Sequence, residues 1–523
     1  MTETAITATR NWKQTGKEFL NPRVVSMLFL GFSAGIPLLL IFSSLSLWLR
    51  EAGIERNAVT FFSWAALGYS FKFVWAPLID RLPLPVLTRR LGRRRAWMLT
   101  AQIAIITAIL LMAMVDPSTG PDSLTRMALA AVLLGFSSAT QDIVIDAYRI
   151  ESAEPRFQAL MSSTYIAGYR IGMVVAGAGA LYLAARFGSE AGAYSYVAWQ
   201  MTYLIMAGIM LVGVMTTLSI REPETSRANE IHYAATDYLR LVLVFAATAA
   251  AFASGFFLTG GIFTELKTAA GGSALSGFLL ETLRFVLAVG AAVLVGWGLV
   301  VLGAINRVMA RETWVEPALD FFRRYGLNTA LLLLALIGLY RISDIVLGVI
   351  ANVFYQDIGF TKPQIATAVQ TFGVFVSIAG GLLGGLLATR YGVLRILMLG
   401  AILSAATNLI FVALAEIGNN VLLLYVAVGA DNLAAGLASA AFVAFLSSLT
   451  NVSFTAVQYA IFSSLMTLLP KLLGGYSGSI VDGIGYPGFF IFTALIGVPV
   501  IALVWFAGQR LDIDGRAKPA HVR

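Results

Sequence analysis

Apolar residues run along this chain in blocks long enough to cross a bilayer, and short polar turns separate the blocks. A hydrocarbon core of about 30 Å needs about 20 apolar residues in a helix. Blocks of that length lie at roughly 24–49, 57–80, 96–115, 124–148, 157–185 and 196–219. A second set of six covers roughly 326–355, 363–388, 393–415, 421–449, 454–481 and 486–508. Two more, about 239–263 and 279–304, lie between the sets, so the pattern predicts fourteen membrane helices. The first block exceeds a signal-peptide core and ends at Leu-Trp-Leu-Arg without a small-residue cleavage site, which predicts a retained helix.

Composition agrees with that pattern. With 523 residues, 58% hydrophobic, 12% charged and 49 glycines, too little polar surface exists to clothe a soluble protein, and the class is an all-α polytopic membrane protein. The absence of cysteine removes disulfides and thiolate metal sites, and both histidines, His232 and His521, fall in polar segments, so neither metal nor cofactor is expected. No nucleophile motif or sizeable polar domain with paired acids is present, which argues against an enzyme. Basic residues favour the cytoplasmic side of bacterial membrane proteins. With the N-terminus inside, 25 of the 36 fall in cytoplasmic segments, 7 outside and 4 within the blocks. Both termini are then expected in the cytoplasm, in a bacterial inner membrane. The net charge of +8 expresses this orientation, nothing points to nucleic acid, and a monomer in the lipid bilayer suffices.

The charges inside the blocks mark the place to look for function. A charged side chain at mid-helix costs about 2.5–3.5 kcal/mol on the insertion scale, so such groups pair or line a polar pathway. Lys72, Arg170, Arg341, Asp344, Asp431 and Lys471 fall at middle depths, with Asp142 nearer the cytoplasm. Arg341 and Asp344 share a helix face, three residues apart, and either neutralise each other or serve a pathway. Asp142 and Asp146 are one turn apart in QDIVIDAYR. Glycines four apart in GFSAG, GGLLGG and GGYSGS predict close helix packing. Pro37, Pro77, Pro470 and Pro499 predict kinks.

An internal repeat accompanies the two sets of six. APLIDR, an insertion of LPLPVLTRRL, and GRRR follow the second block, and GGLLATRYGVLR ends the corresponding block of the second set. Both resemble the G-x-L-a-D-R-x-G-R signature of the major facilitator superfamily. Asp80, Arg81, Gly92, Arg93 and Arg94 fit in the first copy; in the second, Thr389 replaces the acid while Arg390 and Gly392 remain. The resemblance implies a major facilitator fold: two six-helix bundles, 1–225 and 321–523 with a cytoplasmic tail, joined by 226–320, which carries the two additional helices as a tie or spacer.

FKFVWAPLIDR, SSATQDIVIDAYR, AGYRIGM, LYRISDIV and DNLAAGLASAAFVAFLSSLTNVSFTAVQYA resemble the AmpG family of muropeptide permeases. Arg341 and Asp431 stand where family members often carry lysine and glutamate. The resemblance implies import of N-acetylglucosaminyl-1,6-anhydro-N-acetylmuramyl peptides, driven by the proton-motive force, for peptidoglycan recycling, with an indirect link to β-lactamase induction. The alternative is a facilitator for another anionic solute, such as acetyl-CoA.

Such a glycopeptide carries carboxylates and sugar, so the residues expected to bind it are Lys72, Arg170, Arg341 and Lys471, with Tyr69, Tyr165, Tyr169, Tyr340 and Gln141. Arginine suits bidentate carboxylate recognition, and Lys72 is placed to meet a substrate carboxylate or Asp142. Proton coupling needs a group whose protonation changes between states, and Asp142, Asp344 and Asp431 are the candidates. Gating is expected of Asp80, Arg81, Arg93, Arg94 and Arg390, with Asp146 pairing to the arginines of that same loop.

Overall fold

A computed structural model describes residues 16–54, 67–152, 154, 157–189, 193–224, 233–270, 274–474 and 476–511. Among them, thirteen helices are long and apolar enough to cross a membrane. We number the membrane helices α1 (Pro22–Glu51), α2 (67–81), α3 (Arg93–Ala113), α4 (Pro121–Ser152), α5 (Gln158–Arg186), α6 (Tyr196–Ser219), α7 (Ala235–Ala269), α8 (Leu279–Val301), α9 (Leu327–Ala351), α10 (Pro363–Tyr391), α11 (Val393–Ile417), α12 (Val421–Leu449), α13 (Val452–Lys471) and α14 (Ile480–Arg510). The fourteenth is α2, whose expected first half, 57–66, lies outside the described residues, as do His232, His521 and most of the predicted basic tail.

The chain divides into two compact units, Met1–Asn229 with Phe321–Arg523, and Glu230–Asp320. Within the smaller unit α7 packs along α8, and Arg284 caps the pairing: its Nε donates to the Phe256 carbonyl at 2.8 Å, and its guanidinium lies 4.0 Å over the Phe256 ring. Glu281 accepts charge from both Arg284, at 3.3 Å, and Lys267. Leu243, Leu283, Val293 and Trp297 are exposed along these helices, the surface expected to meet lipid tails.

The larger unit holds two apolar cores. One joins α1, α3, α4, α5 and α6, and the other joins α9 to α14. Ile150 and Ala159, from the end of α4 and the start of α5, belong to the second core, so the two halves are packed together at the arginine-rich end.

Local chemistry sets the breaks that position charged residues. Pro37 lacks an N–H, and α1 widens into a π-turn at Leu40–Ser44, where Ser44 Oγ donates to the Ala176 carbonyl at 2.7 Å in a matching wide turn of α5. In α2, Pro77 cannot bond back to residue 73, and the helix passes through a 3-10 turn, Lys72–Val74, before resuming at Ala76–Arg81. Arg341 stands at the interruption between Leu327–Leu339 and Ile342–Asp357. Lys72 and Arg341 thus both sit where a membrane helix is irregular.

Two glycine patterns explain how the bundles close. A Cβ on Gly31 or Gly35 would fall 2.1 Å from the carbonyl oxygens of Tyr165 and Tyr169, so α1 and α5 touch backbone to backbone and fix both tyrosines. In the repeated signature, Gly92 and Gly392 open α3 and α11 with φ of 89° and 91°, conformations that favour glycine. The third expected packing pattern differs: Gly474 meets Val349, but Gly478 faces open space.

Candidate transport site

At the arginine-rich end, Arg94 is only 1% exposed and ties three segments together. Its Nη2 donates at 2.6 Å to Asp80 Oδ1 and at 2.6 Å to Glu151 Oε1, and its Nε donates to Glu151 Oε2 at 3.1 Å. Glu222, at the end of α6, accepts from the backbone N–H of Arg94 at 2.8 Å and of Arg95 at 3.0 Å. Asp80 then crosses to the second half, accepting the N–H groups of Ala456 at 3.3 Å and Val457 at 3.0 Å. Those are orphan donors of the first turn of α13, where the helix dipole favours an anion. Arg93 Nη1 donates to the Asp80 carbonyl at 2.6 Å. In the second signature copy Thr389 has no carboxylate to offer, and Arg390 lies over the Tyr391 ring at 5.5 Å.

The structure corrects the expected partner of Asp146. Rather than the loop arginines, it meets Arg149 Nη2 at 3.2 Å and Lys72 Nζ at 3.8 Å. Glu151, one and a half turns further along α4, takes Arg94 instead. Arg149 is fully buried; its Nη1 donates to Ser162 at 3.1 Å and, across the halves, to Ser447 at 2.6 Å, while its guanidinium sits 5.1 Å over the Tyr459 ring. Arg149, Glu151, Glu222, Ser447 and Tyr459 were all missed from sequence. Arg149 and Glu151 had a legible signal: both are charged residues continuing the helix that carries Asp142.

Deeper in the first half, Asp142 lies in electrostatic reach of Lys72, Asp146 and the tyrosines Tyr69, Tyr165 and Tyr169. Its Oδ1 is buried without a hydrogen-bond partner. Tyr69 shares a hydrogen bond of 2.5 Å with Ser138, and the Tyr165 and Tyr169 rings are 6.1 Å apart. Trp75 Nε1 donates to Thr140 at 3.0 Å, holding the α2 turn against α4.

A second charged group belongs to the other half. Arg341 Nε approaches Asp344 Oδ2 at 3.0 Å, a contact of charges without hydrogen-bond alignment, and Arg341 Nη1 donates to Ser439 on α12. Asp431, also on α12, lies in electrostatic reach of Arg341 and Asp344. Arg170 on α5 lies in electrostatic reach of Arg341, so cations from the two halves come near one another.

Three residues expected at the binding surface make other contacts, although Tyr340 also lies in electrostatic reach of Arg341 and Asp344. Gln141 is fully buried, and its amide donates to Ser33 on α1 at 3.0 Å, in the packing seam. Tyr340 is 4% exposed, donates to the Leu397 carbonyl at 2.9 Å and stacks on Phe442 at 4.3 Å, so it packs α9 against α11 and α12. Lys471 is exposed and lies four turns beyond the α13 end that binds Asp80, about 24 Å along the axis.

A separate crevice of 1530 Å³ opens at the arginine-rich end, between the starts of α1 and α11 and the ends of α4, α6 and α12, lined in part by Arg23, Tyr148, Glu151, Arg221 and Ser447. Among the described residues no cluster of His, Cys, Asp or Glu could hold a metal ion.

The chain as a whole is similar to known proteins. The chain is 27% identical over 497 residues to a Rickettsia conorii protein bearing the name transporter AmpG 4, covering 95% of this chain and 99% of that one. It is 28% identical over 495 residues to the anhydromuropeptide permease of Escherichia coli K12, covering 94% and 81%. The structure of the proton:xylose symporter XylE bound to 6-bromo-6-deoxy-D-glucose superposes with a TM-score of 0.57 at 12% identity, over 97% of this chain and 98% of that one, a likeness of fold. The sequence profile of the Major Facilitator Superfamily matches residues 24–354, and with thirteen membrane-length helices among the described residues the chain belongs to that superfamily of transporters.

Proposed function

We propose that this transporter imports anhydromuropeptides into the bacterial cytoplasm together with protons, as a monomer in the inner membrane with both termini cytoplasmic. The observation that carries the reading is the placement of Lys72 near Asp142, and of Arg341 near Asp344 and Asp431 with Arg170 near Arg341, within the membrane-spanning helices of both halves. Fixed cations there attract an anionic solute, and carboxylates beside them accept protons. The relatives named for muropeptide transport supply the substrate class. In this reading the product feeds peptidoglycan recycling and, indirectly, β-lactamase induction.

The halves 1–225 and 321–523 rock about the charged interior, and 226–320 serves as a helical tie. Tyr69, Tyr165 and Tyr169 offer ring faces and hydroxyls to sugar. Asp142, Asp344 and Asp431 take up the coupled proton. Asp80, Arg81, Arg93, Arg94 and Arg390 with Asp146 form the cytoplasmic gate, which the Asp80 contact with α13 and the Arg149 contact with Ser447 hold shut. One proton moving through 100 mV contributes about 2.3 kcal/mol, enough to sustain accumulation of a solute.

Uptake of labelled anhydromuropeptide into proteoliposomes tests this reading. Accumulation that rises when the outside is acidified supports it. Uptake indifferent to the pH gradient removes the proton, and transport of acetyl-CoA in place of the muropeptide removes the substrate.

A further inference from the structure

Arg170 and Arg341 come from different halves of the protein, yet Arg341 is an electrostatic neighbour of Arg170. The geometry around them is fixed from both sides. Arg341 is anchored on α12 through Ser439 and on its own helix through Asp344. Helix α12 packs on α5, which carries Arg170. Arg170 is half-buried, and among the described residues it has neither an ion-pair nor a hydrogen-bond partner. An unpaired guanidinium at that depth is costly, and repulsion from a second one raises the cost.

The charges nearby complete the picture. Asp344 already faces Arg341, and Asp431 faces both; Tyr355 lies beside Asp431, Tyr340 beside Arg341 and Asp344, and Tyr169 beside Arg170. Arg170, Arg341, Asp344 and Asp431 together sum to zero when both acids are ionised and to one positive charge when one acid holds a proton. A single carboxylate then restores neutrality, so proton and carboxylate enter the interior as a balanced pair.

We propose that Arg170 and Arg341 grip one carboxylate of the transported solute between them, forming an inter-half clasp. The empty clasp repels, a force that the packing of α12 on α5 opposes. A carboxylate bridging the two forks reverses the sign of the force and draws α5 and α9 together, so the peptide acid, rather than the sugar, triggers closure. This deepens the proposed function and rests on its substrate class.

The test compares an anhydromuropeptide having one free peptide carboxylate with its carboxamide, each titrated onto the purified full chain in lipid nanodiscs. The clasp predicts that the wild type prefers the acid by roughly tenfold or more, the scale of a charged bidentate contact. It predicts that Arg170→Gln abolishes this preference while Arg170→Lys keeps part of it. The pair-neutral variant Arg341→Gln/Asp344→Asn, which leaves no buried lone charge at that pair, should lose the preference as well. Combining it with Arg170→Gln should cost no more than either alone, because one carboxylate needs both forks. Equal binding of acid and amide by the wild type, or full discrimination in folded Arg170→Gln, overturns the clasp and leaves the substrate reading standing. Failure of both ligands to bind the wild type overturns the substrate reading, and the clasp falls with it.

Discussion

Arg149 Nη1 on α4 donates to Ser447 Oγ on α12 at 2.6 Å, joining residues 298 positions apart in sequence and on opposite halves of the transporter. The donor is fully buried and also engages Asp146 and the Tyr459 ring, so the bond is held from three sides. Ser447→Ala removes the crossing bond while leaving Arg149 with Asp146 and Ser162. The chain contains no cysteine, so a single Ala444→Cys, buried on α12 beside the crevice, reports parting of the halves against a silent background. Maleimide labelling should accelerate several-fold in Ser447→Ala; an unchanged rate means the bond does not restrain parting of the halves.

Arg94 is a different kind of link, because it neutralises two buried carboxylates at once. Arg94→Met should destabilise the protein by about 3–5 kcal/mol, since it removes the buried cation shared by the Asp80 and Glu151 carboxylates. Adding Glu151→Gln should recover part of that loss, a coupling that thermal unfolding of the single and double variants in detergent measures. Additive losses would mean that Arg94 does not act through Glu151.

Asp142→Asn keeps the shape and removes the charge that Lys72 and the three tyrosines surround. If Asp142 carries the coupled proton, the variant should exchange labelled for unlabelled substrate across the membrane at near wild-type rate yet fail to accumulate it under an imposed pH gradient. Normal accumulation would move coupling to Asp344 or Asp431.

On the opposite end of the first half, Asp116 lies between the spans and accepts from Ser118 and from Tyr194 at 2.8 Å, and Tyr194 in turn accepts from Trp48 at 3.2 Å. Burial raises its carboxyl, but the hydrogen bonds outweigh burial and hold it below its ordinary value of 3.8. A depressed acid stabilises the folded state above its unfolded value, and that contribution fades as pH falls through the lower folded value. Trp48 fluorescence in a Trp-reduced background should therefore stay constant down to about pH 4 and change below it, and Asp116→Asn should remove the transition.

Sequence alone settled much of the architecture. Span length and hydropathy are local properties that lipid enforces, so thirteen of the fourteen expected spans appear at membrane length among the described residues; the ends moved, with α13 and α14 meeting several residues earlier than the apolar blocks suggest. The repeat was also legible, because a positive φ at Gly92 and Gly392 restricts the residue type at both copies. Intramembrane charges announced themselves through their cost. The pairings did not. Residue spacing along a helix fixes a face and a depth, whereas Arg94 meets Glu151 across 57 positions and Arg149 meets Ser447 across 298, contacts that exist only once helices are packed. Packing therefore decided that Glu151 rather than Asp146 holds the loop arginine, that Gln141 and Tyr340 serve helix seams, and that Lys471 stands apart from the other charges. It also brought Arg170 near Arg341. The sequence determined that charges must be hidden from lipid; only the folded bundles determined which of them hide together, since electrostatic partnership depends on distance in space.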